Sequence, residues 1–84
     1  MSKSDLLAEM RANPRDWRLQ DVERLCGTHG ISCTAPAKGS HYKVKHSTQV
    51  EILTIPRDRP IKPVYIRKLV SFVDRVIGAT HEGA

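Results

Sequence analysis

The clearest hydrophobic pattern in the chain begins at His41, where basic and apolar side chains alternate along a short segment. Side chains of a β-strand point alternately to its two faces, so His41, Lys43 and Lys45 are predicted to share one face. Tyr42 and Val44 are predicted to share the other face, which can pack on a core. The pattern therefore predicts a strand with one cationic face and one buried face.

Other apolar residues follow the three-and-four spacing of amphipathic helices. Helices are predicted over residues 4–12, 18–29 and 63–78. Ser4 is a suitable N-cap for the first helix, Gly30 is a natural stop for the second, and Pro63 fits the first turn of the third. Gly78 is expected to end the third helix, and residues 79–84 are expected to form a frayed tail.

Strands are predicted over residues 31–35, 41–46 and 50–55, with a polar turn between the last two that indicates an antiparallel hairpin. The segment 50–55 is mostly apolar, which is typical of a central strand covered on both faces. The buried stripe of the last helix is expected to include Ile77. The order helix, helix, three strands, helix predicts one α+β domain over residues 1–84, with helices on one face of a three-stranded antiparallel sheet.

The composition is that of a small folded domain without a membrane segment. The chain has 84 residues, of which 39% are hydrophobic and 27% are charged, so it is not of the disordered class. No apolar run approaches the roughly 20 residues that span a bilayer, and the first residues do not follow a signal-peptide pattern. A cytoplasmic protein with no membrane partner is expected, with Cys26 and Cys33 as reduced thiols.

The net charge of +5 is concentrated in one part of the chain. Residues 1–37 are neutral overall, whereas residues 38–68 carry a net charge of +6. A local excess of this kind favours a polyanionic partner, although a solvated basic surface would have the same charge. The residues predicted to contact a phosphate backbone are Lys38, Gly39, Ser40, Lys43, Lys45, Arg57, Arg59 and Lys62.

His41 is the residue with the strongest catalytic potential. It follows Gly39 and Ser40, which let a ligand approach the backbone closely. An imidazole can take the proton of a 2′-hydroxyl group or protonate a leaving oxygen. Lys43 and His46 are the alternatives for a second acid or base. The simpler interpretation is that His41 is a surface histidine in a turn.

A zinc site is a competing interpretation of the two cysteines. Cys26, His29 and Cys33 have a possible ligand spacing, but a fourth ligand would have to come from His41 or His46. Cys26 also falls on the apolar stripe of its helix, and His29 suits a C-terminal capping role. No metal and no small-molecule cofactor are therefore predicted.

Four motifs follow one another in the chain. They are Gly39-Ser40-His41, a strand up to His46, Leu53-Thr54-Ile55-Pro56, and a helix that opens near Lys62-Pro63. In order and spacing, over about residues 19–77, they resemble the HicA-type mRNA interferase toxins. Residues 18–78 would then be the toxin-like core and residues 4–12 an added helix. Many members of that family have a second histidine where this chain has Tyr42.

The resemblance implies a fold similar to a double-stranded RNA-binding domain and ribosome-independent cleavage of mRNA. It implies that His41 is the catalytic residue, and that a HicB-type antitoxin binds the protein and covers this histidine. Two alternatives stay open. One is a non-catalytic RNA-binding module of the same fold, and the other is a protein-interaction domain whose basic face is incidental.

Overall fold

The chain folds into three helices and three strands in the predicted order. The computed structural model describes residues 5–37 and 39–82, and the predicted N-cap Ser4 and the predicted phosphate contact Lys38 lie outside the described residues. The elements are α1 (Asp5–Ala12), α2 (Leu19–Thr28), β1 (Ser32–Thr34), β2 (His41–Lys45), β3 (Leu53–Pro56) and α3 (Pro63–Glu82). The predicted α+β class is confirmed, and α2, β1 and β2 differ from their predicted bounds by no more than one residue at each end.

The three strands form one antiparallel sheet in which β2 is central and β1 and β3 are the edges. Val44 pairs with Cys33 on one side and with Leu53 on the other, and all three contribute to the core. The alternate residues of the strands point to the opposite face. The predicted hairpin of the second and third strands is confirmed.

One hydrophobic core lies between the sheet and the helices. α1 packs on α3, α2 packs on β1, and α3 packs on β3. Among the described residues, no polar or charged side chain is classed as buried. The largest fully buried side chains are Phe72, Met10, Leu25, Ile55, Ile61, Ile66 and Leu69. The helices therefore lie on one side of the sheet and leave its other face open to solvent.

The first helix is attached to the last by burial and by an ion pair. Leu6, Leu7 and Met10 of α1 are buried. Arg11 donates two hydrogen bonds to the carboxylate of Asp74 on α3, at 2.7 and 2.8 Å. These hydrogen bonds hold the pKa of Asp74 below its usual range. Although the resemblance treats this helix as an addition, it contributes to the same core as the other elements.

The third strand is shorter and less covered than predicted. It begins at Leu53 and lies at an edge, so the prediction of a central strand over residues 50–55 is wrong. Val50 is fully exposed and Ile52 is 51% exposed. The chain after β2 turns and bends through residues 46–52 before its pairing with β2 begins, and these apolar residues fall in that connection.

The last helix is longer than predicted. It continues through Gly78 to Glu82, because one glycine costs a helix only about 1 kcal/mol when packing holds the helix in place. Ile77, which the helical spacing places in the core, is 38% exposed. Although α3 has 20 residues, no helix in the described part of the chain is long and apolar enough to cross a membrane.

Candidate nucleic-acid interface

The open face of the sheet is polar and positively charged. Its exposed side chains come from alternate positions of the three strands. They are Ser32, Thr34, His41, Lys43, Lys45 and Thr54. Lys43 lies at the centre of a cross-strand row, paired with Thr34 on one side and with Thr54 on the other. A cation between two hydroxyl groups is a favourable arrangement for a phosphate, since both kinds of side chain bind phosphate oxygens.

A shallow groove of about 560 Å³ lies between β2 and the β1–β2 connection, and we call it the sheet groove. Its lining residues are Thr34, Ala35, Pro36, Ala37, Gly39, Ser40, His41, Lys43 and Lys45. None of these residues is acidic, so the two lysines act on a ligand without a competing carboxylate. The groove brings the predicted catalytic histidine together with four of the predicted phosphate contacts.

The backbone around His41 contains a glycine in the left-handed region and a hydrogen bond to β3. Gly39 has a φ of 86°, a left-handed conformation that favours glycine. The N–H of Arg57 donates to the carbonyl of Ser40 at 2.7 Å, which extends the β2–β3 ladder beyond His41. His41 itself pairs with Pro56, and its side chain is exposed. The residue is thus held on an ordered ladder while its imidazole is open to a ligand.

His46 is committed to the turn that follows β2. Its Nδ1 accepts a hydrogen bond from the backbone N–H of Thr48 at 3.1 Å and lies 2.8 Å from the Thr48 hydroxyl group. Because a backbone N–H can only donate, Nδ1 is the acceptor in this contact. His46 does not line the sheet groove, whereas Lys43 does. Of the two alternatives for a second acid or base, only Lys43 shares the groove with His41.

The basic loop before α3 begins beside the sheet groove, but its arginines do not line that groove. Arg57 and Arg59 line a second groove of about 310 Å³, between this loop and the start of α2. Glu23 and Asp58 line the same groove and offset part of its positive charge. Lys62 is exposed and lines neither groove. The predicted phosphate contacts therefore do not all line one groove.

The two cysteines form a pair of free thiols between α2 and β1. A hydrogen bond between them raises the pKa of the buried Cys26 thiol and lowers that of Cys33. His29 is the C-cap of α2 through its backbone N–H, and its Nε2 is buried with no hydrogen-bond partner among the described residues. Within residues 5–37 and 39–82, no three His, Cys, Asp or Glu side chains come together as metal ligands.

The hydroxyl residues of the open face were not found from the sequence. Thr34 lies directly opposite Lys43, and Thr54 lies opposite it on the other side. The alternation of Ser32 and Thr34 with Cys33 was a signal of an exposed strand face. Only the register shows that this face adjoins the lysines of β2.

Comparisons with known proteins add no assignment. No protein-family model, curated protein or solved structure matches this chain. Support for a function therefore comes from the sheet groove itself and from the motifs of the sequence.

Proposed function

We propose that this protein is an endoribonuclease that cleaves mRNA and that His41 is its catalytic residue. The supporting observation is the sheet groove, in which one exposed histidine and two lysines share a face with no acidic residue among the lining side chains. Such a surface attracts a polyanion. Its shallow, open shape suits a nucleic-acid strand better than an enclosed small molecule. The resemblance to HicA-type toxins supports the same activity.

In the proposed reaction, His41 takes the proton of the 2′-hydroxyl group beside the scissile phosphate. The 2′-oxygen forms a bond to phosphorus, and the bond from phosphorus to the 5′-oxygen breaks. The products are a 2′,3′-cyclic phosphate and a 5′-hydroxyl end, whose proton comes from Lys43 or from water. Lys43 follows His41 on the same face, about 7 Å along the strand. Its charge stabilises the negative charge that develops on the phosphate oxygens.

Three further properties belong to this proposal. The fold is related to double-stranded RNA-binding domains, in agreement with helices on one side of a three-stranded antiparallel sheet. The natural partner is a HicB-type antitoxin that covers His41. The location is the cytoplasm, because the mRNA substrate lies there.

The test is RNA cleavage by the purified protein, together with growth arrest on expression. The wild type is expected to produce ends with a 2′,3′-cyclic phosphate, and His41→Ala is expected to lose both cleavage and toxicity. A 2′-deoxynucleotide at the cleaved position should block the reaction, because the attacking oxygen is missing. His46→Asn is the matched control, since asparagine keeps an acceptor for the Thr48 N–H. Cleavage and toxicity that survive His41→Ala would exclude the assignment.

A non-catalytic RNA-binding module is the second candidate. It is favoured by one observation: His41 is the only histidine among the described residues that line the sheet groove. This candidate predicts salt-dependent RNA binding by both the wild type and His41→Ala, without cyclic-phosphate products.

A further inference from the structure

A third groove, of about 650 Å³, lies between β3 and α3, and we call it the edge groove. Its lining residues are Glu51, Ile52, Leu53, Thr54, Val64, Tyr65, Arg67, Lys68, Ser71 and Arg75. It shares no lining residue with the sheet groove. The two grooves are thus distinct, although Thr54 lies at their boundary, on the open face beside Lys43 and in the lining of the edge groove.

The edge groove exposes apolar side chains on both of its sides. Ile52 is 51% exposed on the β3 side and Val64 is 46% exposed on the α3 side. Leu53 and Tyr65 are half-buried in the same groove and pack on the core. Val50, close to the groove along the chain, is fully exposed. Exposed apolar residues grouped in this way, with charged residues around them, are typical of a protein interaction site.

One face of α3 supplies the cationic wall of the groove. Val64, Lys68, Ser71 and Arg75 follow a spacing of four, three and four residues, which places them on one helical stripe. Arg75 also makes an ion pair with Glu51 at 3.1 Å, across the groove from α3 to the residues before β3. A ligand in the groove therefore meets the exposed apolar side chains of Ile52 and Val64 together with the positive charges of α3.

The backbone of β3 has pairing capacity on the side away from β2. The hydrogen bond from the Arg57 N–H to the Ser40 carbonyl sets the alternation of the ladder. By that alternation Leu53 and Ile55 bond to β2, while the N–H and C=O of Thr54 point outward. Pro56 has no N–H to donate, so an added strand can extend only from Thr54 towards Ile52.

We propose that the edge groove binds an extended acidic segment of a partner protein, which adds a strand beside β3. Backbone hydrogen bonds to Thr54 would hold the segment, its apolar side chains would cover Ile52 and Val64, and its carboxylates would meet Lys68. Charge decides against a second copy of this chain as the occupant. The cations Arg67, Lys68 and Arg75 face one carboxylate, Glu51, so two copies would oppose like charges.

The probe is the capped heptapeptide Glu-Val-Glu-Val-Glu-Val-Glu, titrated into the full ¹⁵N-labelled chain and followed by amide chemical shifts. Binding is expected to shift the amides of Ile52, Thr54 and Lys68. It is also expected to slow hydrogen exchange at the Thr54 N–H, which is the specific mark of an added strand. The lysine counterpart of the peptide should not bind, because it repels the cationic wall.

Two variants distinguish peptide binding in the edge groove from non-specific attraction by the positive charge of the protein. Lys68→Glu is expected to weaken binding of the acidic peptide about tenfold, since one attraction becomes a repulsion. Arg15→Glu makes the same change of charge at an exposed residue outside the groove, and it should bind as the wild type does. His41→Ala should also bind normally, so the result does not depend on RNA cleavage.

Several outcomes would overturn the proposal. These are the absence of amide shifts at about 1 mM peptide, shifts centred on the sheet groove, and equal weakening by Arg15→Glu and Lys68→Glu. A concentration-dependent dimer that protects the Thr54 amide, detected by sedimentation equilibrium, would assign the groove to a second copy instead.

Discussion

The sheet groove and the edge groove are both basic, but their charges have different neighbours. In the sheet groove, Lys43 and Lys45 lie among hydroxyl groups, small residues and a histidine, with no carboxylate in the lining. In the edge groove, Lys68 lies beside exposed apolar side chains such as Ile52, and Glu51 contributes a carboxylate. The two surfaces share no lining residue, so they can be compared within one molecule.

This difference shows that positive charge alone does not identify a partner. A cationic surface without carboxylates gains most from a phosphate backbone, because no negative charge of the protein competes for its lysines. A cationic surface with exposed apolar residues and an unpaired strand edge gains more from an extended polypeptide, which offers carboxylates, apolar side chains and a backbone. The residues around each cation therefore decide what the surface binds.

The largest expected effect is on RNA cleavage. One variant of each groove is tested both for RNA cleavage and for peptide binding. His41→Ala should lower the rate of RNA cleavage by about 10²–10⁴-fold, the usual contribution of general acid–base catalysis, while peptide binding is unchanged. Lys68→Glu should weaken peptide binding and leave the cleavage rate as in the wild type. Cleavage rates and peptide titrations of the two purified variants give the answer. Loss of both functions in either variant would mean that the grooves are not independent.

The next effect concerns stability and uses two isoleucines of the β3 region. Ile55→Ala should lower the free energy of unfolding by about 2–5 kcal/mol, because it removes a fully buried side chain and leaves a cavity. Ile52→Ala should change it by less than about 0.5 kcal/mol, because this side chain is half-exposed in the edge groove. Urea denaturation of both variants measures the difference. A large decrease in stability with Ile52→Ala would show that this residue belongs to the core and not to an interaction surface.

A smaller effect is expected on the salt dependence of RNA binding. Replacing Lys43 and Lys45 with glutamine should reduce the slope of log affinity against log salt by about 0.7 for each phosphate that the protein no longer neutralises. Lys68→Gln makes the same kind of change in the edge groove, and its slope should match that of the wild type. Fluorescence anisotropy with labelled single-stranded RNA over a range of salt concentrations provides the slopes. Equal slopes for all variants would show that Lys43 and Lys45 do not contact RNA phosphates, and the sheet groove would not be the RNA-binding site.

The weakest effect is expected at the ion pair between α1 and α3, which touches neither proposed function. The pKa of Asp74 is lowered in the folded state by its hydrogen bonds with Arg11, so the pair stabilises the fold above the usual carboxyl range. That contribution is lost as the pH falls through the folded-state pKa. Arg11→Ala should therefore destabilise the protein slightly at neutral pH and less in acid, as followed by urea denaturation. A deficit that is independent of pH would mean that the destabilisation comes from packing and not from charge.

Local patterns predicted most of the fold correctly, because short-range chemistry determines them. The alternation from His41 placed the lysines on one face, and Gly30 ends its helical turn with a φ of 66°. The prediction for residues 50–55 was wrong because apolar composition does not reveal where pairing with β2 starts. The candidate site was only partly predictable, because the local sequence does not show which side chains the fold brings into one groove. The sequence contains no signal that the side chains of Arg57 and Arg59 lie in a separate groove from His41.

Sequence patterns were sufficient for the element types, the α+β class and the cationic face of β2, because each depends on neighbours a few residues apart. The order of the strands, the position of Thr34 and Thr54 beside Lys43, and the exposure of Ile52 came only from the folded chain. These features depend on register and on contacts between distant segments. The sequence of one strand does not show which residues of the neighbouring strands lie opposite it. Both grooves could therefore be recognised only from the folded structure.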